Sequence, residues 1–331
     1  MIICQNQLFV FCVTGSDANA LGRELKAEVS YYRSMNFAEN TKKTYLTHLN
    51  SYLQFCDRLH ILPVPASEEN IAKYAAFLAR RLKPSSVKQY LNIIRVLHLE
   101  CGKDHPYKDS WVVKTTLNGI EKSKGCQIVK KNPIDPNVLL FIRSKLDLKI
   151  KEDAVFWAAC LVMFFGLLRK SNLFQDCRRF DIKKQLTREN IEITEDCVIL
   201  RLLWSKTIQR REKVLIIKLP YLRDHPLCPV SAVINMFQVL GPKSNLSQAF
   251  SITGEYFNRH LRDLTTSIGD FSSHSFRRGG AIWGMSCGIP GEIIRIMGDW
   301  ASTCYLQYLD QIPWETLDRY RVMFGEKLPS K

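Results

Sequence analysis

The sequence predicts a mainly α-helical fold with a small β-sheet, divided between two domains. Over residues 23–123, apolar side chains recur at steps of three and four residues, which is typical of amphipathic helices. The uncharged run Ala154–Leu168 predicts a buried core helix, because it is shorter than the roughly 18 residues that a membrane span needs. Cys197–Trp204 and Val214–Leu219 are short, apolar and rich in β-branched residues, which predicts paired strands.

The first domain is predicted to contain four or five short helices. One opens at residues 38–41 and continues over Thr44–Leu59, where the prolines of Leu62–Pro65 end it. Ser67 is the predicted N-cap of the next helix, Pro84 begins a third, and a shorter one follows near Ser110–Ile120.

The second domain combines helices with the two predicted strands, which are joined by Ser205–Lys213. Its predicted helices are Pro136–Leu146, Asp153–Leu168, one from Leu227–Val230 to Leu240, Tyr256–Ser267, Ser275–Cys287, Pro290–Met297 and Ser302–Leu309. The strands and helices together predict a mixed α/β domain.

Composition shifts place the domain boundaries. Residues 1–22 form a weak leader that we expect to be poorly ordered, and residues 23–123 form the helical domain. Residues 124–133 are basic and contain a glycine and a proline, which predicts an exposed linker. Residues 134–331 form the second domain, including a C-terminal arm over residues 311–331.

The charge balance points to a polyanionic partner. The chain of 331 residues has 47 Lys and Arg against 32 Asp and Glu, a net charge of +15, and the excess is spread over both halves. Nucleic acid is the first candidate, although many basic proteins bind none. The lysines that we predict to contact DNA phosphates, each of which alone would be an ordinary surface lysine, are Lys42, Lys43, Lys83, Lys88, Lys114, Lys130 and Lys131.

The cysteines indicate reduced thiols. There are 11, an odd number, with no C-x-x-C pair and no cluster of zinc-ligand spacing. We expect a reducing compartment, the cytosol or nucleus, with no structural metal. The apolar start of the chain lacks the preceding positive charge of a secretory signal, and no membrane association is predicted.

Five side chains have the chemistry needed to break a phosphodiester by transesterification. Arg169 and Arg277 suit the phosphate oxygens, because a guanidinium binds two oxygens and keeps its charge. His274 lies three residues before Arg277 and shares its helix face. Lys206 suits the general acid and Tyr308 the nucleophile. The alternatives are a helix cap for Arg169 and a protective edge-strand lysine for Lys206.

This order of residues resembles the tyrosine recombinases, the phage integrase family, over residues 23–310. The residues that carry the resemblance are Arg169, Lys206, His274, Arg277, Trp300 and Tyr308. It implies an N-terminal core-binding domain of the SAM-like type and a C-terminal tyrosine-recombinase catalytic domain. The segment Gly298–Leu309 is most similar to eukaryotic mobile-element members such as Crypton-like recombinases.

Three positions depart from the family pattern. Asn172 replaces an acidic residue in a supporting position, and Arg278 stands where a second histidine is common. Asp299 occupies the usual histidine position, so Trp300, through its indole N–H, is our candidate for that role. Family spacing favours Tyr308 as the nucleophile over Tyr305, which is otherwise a packing residue.

The resemblance implies a site-specific recombinase or integrase that cuts and rejoins double-stranded DNA through a 3′-phosphotyrosyl intermediate, without metal, ATP or another cofactor. It also implies a homotetramer on two duplexes, and for a transposable element of a eukaryote, action in the nucleus. The main alternative is a DNA-binding protein derived from a recombinase that no longer cuts. A type IB topoisomerase and a non-enzymatic nuclear scaffold are the more distant alternatives.

Overall fold

The computed structural model describes residues 20–125, 131–175, 180–205, 214–300, 302 and 305–306. Within these residues it contains twelve α-helices and one three-stranded antiparallel sheet, which confirms the predicted fold class. The chain divides into two compact units, Met1–Val129 and Lys130–Lys331, and this division falls inside the predicted linker 124–133. None of the described helices is both long and apolar enough to cross a membrane.

The N-terminal unit is helical throughout its described part. Its helices are α1 (Ala20–Met35), α2 (Glu39–Arg58), α3 (Glu68–Ala79), α4 (Pro84–Glu100) and α5 (Trp111–Lys124). The start of α1 lies inside the stretch 1–22 that we predicted to be a poorly ordered leader, so the helical part begins earlier than expected. Ser67 accepts a hydrogen bond from the Asn70 amide at 3.2 Å, as predicted for an N-cap. The core of this unit packs apolar faces of α2, α3 and α4 together, around Tyr52, Tyr74 and Ile94.

The C-terminal unit combines helices with the sheet. Its elements are α6 (Pro136–Ser144), α7 (Lys151–Phe165), α8 (Lys170–Leu173), β1 (Ile191–Ile193), β2 (Cys197–Leu202), β3 (Leu215–Pro220), α9 (Pro229–Leu240), α10 (Gly254–Thr265), α11 (Ser273–Ser286) and α12 (Gly291–Met297). The predicted strand pair is β2 and β3, which are antiparallel with Cys197 opposite Pro220 and Leu202 opposite Leu215. The short strand β1 was not predicted. The predicted helix Ser302–Leu309 lies mostly outside the described residues, and the arm 311–331 lies entirely outside them.

The uncharged helix α7 is the centre of the C-terminal core. Every residue from Ala154 to Phe164 is buried, and α9 and α11 pack against the helix. Burial on all sides explains why this stretch lacks a polar face.

Helix α11 approaches its neighbours closely through Gly279 and Gly280. A Cβ atom on Gly279 would lie 1.7 Å from the carbonyl oxygen of Ile134, and one on Gly280 would lie 2.0 Å from that of Phe164 in α7. Since backbone atoms occupy both positions, only glycine fits there. This contact sets the position of the α11 residues that form the site described below.

We expect Gly280→Ala to lower the free energy of unfolding of the C-terminal unit by about 3 kcal/mol, because overpacking forces α11 away from α7. Urea denaturation followed by circular dichroism measures the change. Gly119→Ala in α5 is the matched control, since a Cβ there meets no atom within 4 Å and should raise helix stability by up to about 1 kcal/mol. Equal stability of the Gly280→Ala variant and the wild type would contradict the packing described.

Candidate active site

The guanidinium of Arg277 is buried at the centre of the site. Its side chain is 2% exposed. Nη1 donates to the carbonyl oxygen of Leu167, and Nη2 donates to that of Gly298 at 2.5 Å. The guanidinium carbon lies 3.9 Å from the centre of the Trp300 ring, in a cation–π arrangement. Arg277 therefore joins three separate segments of the chain.

Both carbonyl groups that bind Arg277 lie at helix C-termini. After the C-cap Gly166 of α7, Leu167 has a left-handed backbone (φ 50°), and the Leu168 amide donates to the Met163 carbonyl at 3.2 Å, as in a Schellman motif. Gly298 is the C-cap of α12. Helix C-termini carry partial negative charge, so a cation is stabilised there. Arg277 therefore lies where the partial negative charge of two helix C-termini stabilises a cation.

Arg169 lies immediately after this turn, at the N-cap of α8. Its backbone N–H donates to the Asn172 Oδ1 at 3.0 Å, and the buried Asn172 in turn donates from Nδ2 to the Trp204 carbonyl oxygen at 3.4 Å. The amide at position 172 has one acceptor and one donor group and uses both. Asn172 therefore links the backbone of Arg169 to the backbone of Trp204, which lies in the segment after β2.

His274 lies in the first turn of α11, one helical turn before Arg277. Its ring keeps contact with solvent, but the surrounding chain removes part of its hydration. This desolvation is the largest cause that lowers the His274 pKa, and the positive charges of Arg277, Arg169 and Arg278 lower it further. The imidazole is therefore biased toward its neutral form, which both donates and accepts a hydrogen bond.

The turn after α12 contains Asp299 and Trp300. Asp299 has a left-handed backbone (φ 49°), a conformation that aspartate tolerates better than most residues. Its Oδ2 accepts a hydrogen bond from the Ser205 hydroxyl at 3.0 Å, and Ser205 is buried. The contact ties this turn to the residue that directly precedes Lys206.

Trp300 is a buried packing residue in this arrangement. Its ring lies so close to Gly298 that a Cβ there would be 1.8 Å from a ring carbon. The ring face contacts Arg277, and Tyr305 packs on the same ring with 6.0 Å between ring centres. Tyr305 is only 6% exposed. The geometry gives Trp300 a role in holding Arg277, and the predicted role of its indole N–H remains a prediction.

The structure brings four of the six predicted catalytic residues together: Arg169, His274, Arg277 and Trp300. Lys206 and Tyr308 lie outside the described residues. Sequence reasoning missed the partners of Arg277, which are backbone carbonyl groups of Leu167 and Gly298 and have no side-chain signature. The signal that was available was the glycine pair at 279 and 280, since adjacent glycines inside a helix indicate a close approach.

The predicted DNA-binding lysines occupy different places. Lys88 and Lys114 line one cavity of about 500 Å³ in the N-terminal unit, together with Trp111, whose side chain is 73% exposed. Lys42, Lys43 and Lys83 lie at the starts of α2 and α4, where Lys42 pairs with Glu39 at 2.7 Å. In the C-terminal unit, Lys131 pairs with Asp270 at 2.5 Å. Lys130 lies outside the described residues.

Comparison of the sequence with known families finds a match in its N-terminal part. Residues 25–105 match the family described as phage integrase, N-terminal SAM-like domain. An integrase/recombinase xerD homolog of Selenomonas ruminantium is 25% identical over 201 residues, which cover 59% of this chain and 55% of that protein. The chain thus spans about half the length of this curated relative.

Three solved structures share the fold of the chain. The Tn1549 transposon integrase in complex with transposon right-end DNA has a TM-score of 0.60 and 13% identity, and the match covers 91% of this chain and 98% of that one. A lambda integrase dimer bound to a COC′ core site has a TM-score of 0.58 and 13% identity, with coverage of 86% and 93%. The XerH site-specific recombinase bound to a palindromic difH substrate has a TM-score of 0.58 and 13% identity, with coverage of 85% and 79%.

We expect the His274 pKa, measured by NMR titration of the ring, to lie below 6.5 and to rise in Arg278→Gln, because one neighbouring positive charge is removed. The folded protein then binds fewer protons than the unfolded chain. His274 therefore makes stability decrease as pH falls through 6.5 toward the folded pKa, and contributes no slope at higher pH. Arg259→Gln is the control, because the charge of Arg259 is not among those that lower the His274 pKa. A His274 pKa at or above 6.5, or one unchanged by Arg278→Gln, would refute the electrostatic description.

Proposed function

We propose that this chain, which has the fold of the tyrosine recombinases and a phage-integrase N-terminal domain, cuts and rejoins double-stranded DNA at specific sites through a 3′-phosphotyrosyl intermediate. The observation that carries the proposal is the cluster of His274 with Arg169, Arg277 and Arg278, held in that fold by the buried Arg277. The finer resemblance to Crypton-like mobile-element recombinases stays a prediction.

The reaction that we propose consists of two transesterifications. Tyr308 gives its phenol proton to solvent and its oxygen attacks the phosphorus, while the bond from phosphorus to the 5′-oxygen breaks and that oxygen leaves as a hydroxyl after taking a proton from Lys206. In the second step the 5′-hydroxyl of a partner strand gives its proton back to the neutral Lys206 and attacks the phosphotyrosine, and the phenol oxygen leaves and regains its proton from solvent. Each bond broken is replaced by one of the same kind, so no ATP is consumed.

The arginine cluster suits the charge that develops on phosphorus oxygens during this reaction. Fixed cations at that position stabilise the transition state more than the ground state. A guanidinium has five N–H donors, so the two carbonyl bonds of Arg277 use only part of its capacity. Arg169 lies beside it and is less buried. In this proposal Arg277 holds the site together and adds charge, while Arg169 and the neutral His274 donate hydrogen bonds to the phosphate.

The identity of the nucleophile is the choice between two tyrosines. Tyr305 packs in a buried cluster with Trp300, Leu167 and Ile294, and a buried phenol cannot approach a DNA phosphate without leaving that cluster. This burial supports Tyr308, which family spacing also favours. Ser205, which directly precedes Lys206 in the sequence, is held next to the turn after α12 by its hydrogen bond to Asp299. This anchor supports Lys206 as the proposed proton donor.

Assembly and location are parts of the same proposal. Exchange of strands between two duplexes needs four cleavages, so we propose a homotetramer on two DNA duplexes, which mass photometry of the DNA complex would detect.

We propose the nucleus as the location and a transposable element as the origin. Among the described cysteines, Cys56, Cys160, Cys197, Cys228 and Cys287 are free thiols, which a reducing compartment favours. Immunofluorescence that places the protein outside the nucleus would contradict this location.

A DNA-binding protein that no longer cuts is the second candidate. The cavity of the N-terminal unit that contains Lys88, Lys114 and the exposed Trp111 favours DNA contact without requiring cleavage. Cation and aromatic side chains together are typical of nucleic-acid surfaces. Only a test for the covalent intermediate separates the two candidates.

We expect the protein to form a covalent adduct with nicked duplexes that contain a randomised core, since the nick prevents religation and traps the phosphotyrosine. Denaturing gels detect the adduct, and sequencing of the trapped DNA gives the target. Tyr308→Phe should abolish the adduct, because it removes the nucleophilic oxygen. Lys206→Ala should slow adduct formation by about 10²–10⁴-fold, and a 5′-thiol leaving group, which needs no proton, should restore it.

Tyr305→Phe is the matched control and should retain the adduct. If Tyr305→Phe loses the adduct and Tyr308→Phe keeps it, the nucleophile is Tyr305. If the wild type binds DNA and forms no adduct with the entire pool, the non-cutting candidate is correct.

A further inference from the structure

A second positively charged cavity lies beside the candidate active site, within the C-terminal unit. Its volume is about 640 Å³. Its wall includes Lys170, which follows Arg169, and Ser273, which precedes His274. The cavity wall is therefore linked to the active-site cluster at two places in the chain. Lys170 directly follows Arg169, and Ser273 directly precedes His274.

Basic side chains outnumber acidic ones on the wall of this cavity. Lys131, Lys170 and Arg262 line it, against the carboxylate of Glu255. Lys131 is paired with Asp270 at 2.5 Å. For Arg262, no ion pair with any carboxylate is formed within the part of the chain that the structure describes. The cavity thus has an excess of positive charge that suits an anion.

The neutral groups of the wall provide donors from side chains. Asn258 uses its Oδ1 to accept the Ser273 amide at 3.3 Å, which directs its NH₂ group to other partners. The Thr253 hydroxyl accepts the Tyr256 amide at 3.1 Å, so its proton remains as a donor. The Ser272 amide at the start of α11 is bound to the Ser275 hydroxyl at 3.1 Å. The side-chain donors of this cavity therefore include the Asn258 NH₂ group and the Thr253 hydroxyl.

We propose that this cavity binds a DNA phosphodiester adjacent to the one at the active-site cluster, with Arg262 and Lys170 as its cationic ligands. Phosphates of one strand follow each other at about 3.4 Å along the helix axis, so a strand held at Arg169 brings its next phosphates past Lys170. This inference rests on the proposed function, because it requires DNA as the partner. A bound phosphate here would fix the register of the strand relative to the nucleophile.

The test compares two variants that remove the same charge from the same helix. Arg262→Gln removes a cavity ligand, while Arg259→Gln removes an exposed arginine that lies over the Tyr256 ring and does not line the cavity. The affinity of the full chain for a 30-base-pair duplex of mixed sequence is measured between about 50 and 200 mM salt. The slope of log affinity against log salt is negative, and loss of one phosphate contact should make it less steep by about 0.9. We also expect Arg262→Gln to weaken binding about tenfold, and Arg259→Gln to change neither quantity.

A second arm separates DNA from free phosphate as the source of the anion. Thermal unfolding is compared in sodium phosphate and sodium chloride at equal ionic strength. If phosphate stabilises the wild type and not Arg262→Gln, while the DNA slope of Arg262→Gln equals that of the wild type, the cavity binds a free anion and the DNA inference is wrong. A wild-type protein with normal salt-dependent DNA binding and an unchanged Arg262→Gln slope overturns this inference alone. A flat salt dependence of the wild type overturns the proposed function as well.

Discussion

The buried guanidinium of Arg277 connects the C-terminal end of α7, the C-terminal end of α12 and the ring of Trp300. A charge at 2% exposure is costly to desolvate and is tolerated only where hydrogen bonds and nearby negative charge offset that cost. Two helix C-termini and an aromatic face provide such an environment. Removing any one of these three partners would remove part of this compensation, so the turn after α7, the turn after α12 and the start of α11 depend on one another.

The departures from the family pattern have physical explanations in this arrangement. Asn172 uses its acceptor for the Arg169 amide and its donor for the Trp204 carbonyl, and a carboxylate could not donate the second bond. Asp299 occupies a left-handed turn and accepts from Ser205. This bond connects the turn after α12 to the segment after β2. The Trp300 ring packs against the guanidinium of Arg277.

The sequence predicted the fold class, most helix boundaries and the strand pair, because periodicity, capping residues and prolines act locally. Ser67, Pro84 and Gly298 are examples, since each begins or ends a helix through its own backbone or side chain. The start of α1 and strand β1 escaped prediction because neither has a strong local signal. The partners of Arg277 could not be predicted, since backbone carbonyl groups are present in every sequence and only the close approach of α11 to α7 selects Leu167. The burial of Trp300 and Tyr305 likewise depends on tertiary packing.

The most direct measurement of the role of Arg277 is the comparison of Arg277→Lys with Arg278→Lys, in unfolding and in covalent adduct formation on nicked DNA. Lysine keeps the charge but cannot donate to both carbonyl groups in the geometry of a planar guanidinium. We predict that Arg277→Lys lowers the free energy of unfolding by about 3 kcal/mol and adduct formation by about 100-fold, while Arg278→Lys leaves unfolding unchanged. An Arg277→Lys protein as stable and as active as the wild type would contradict the central role of the buried guanidinium.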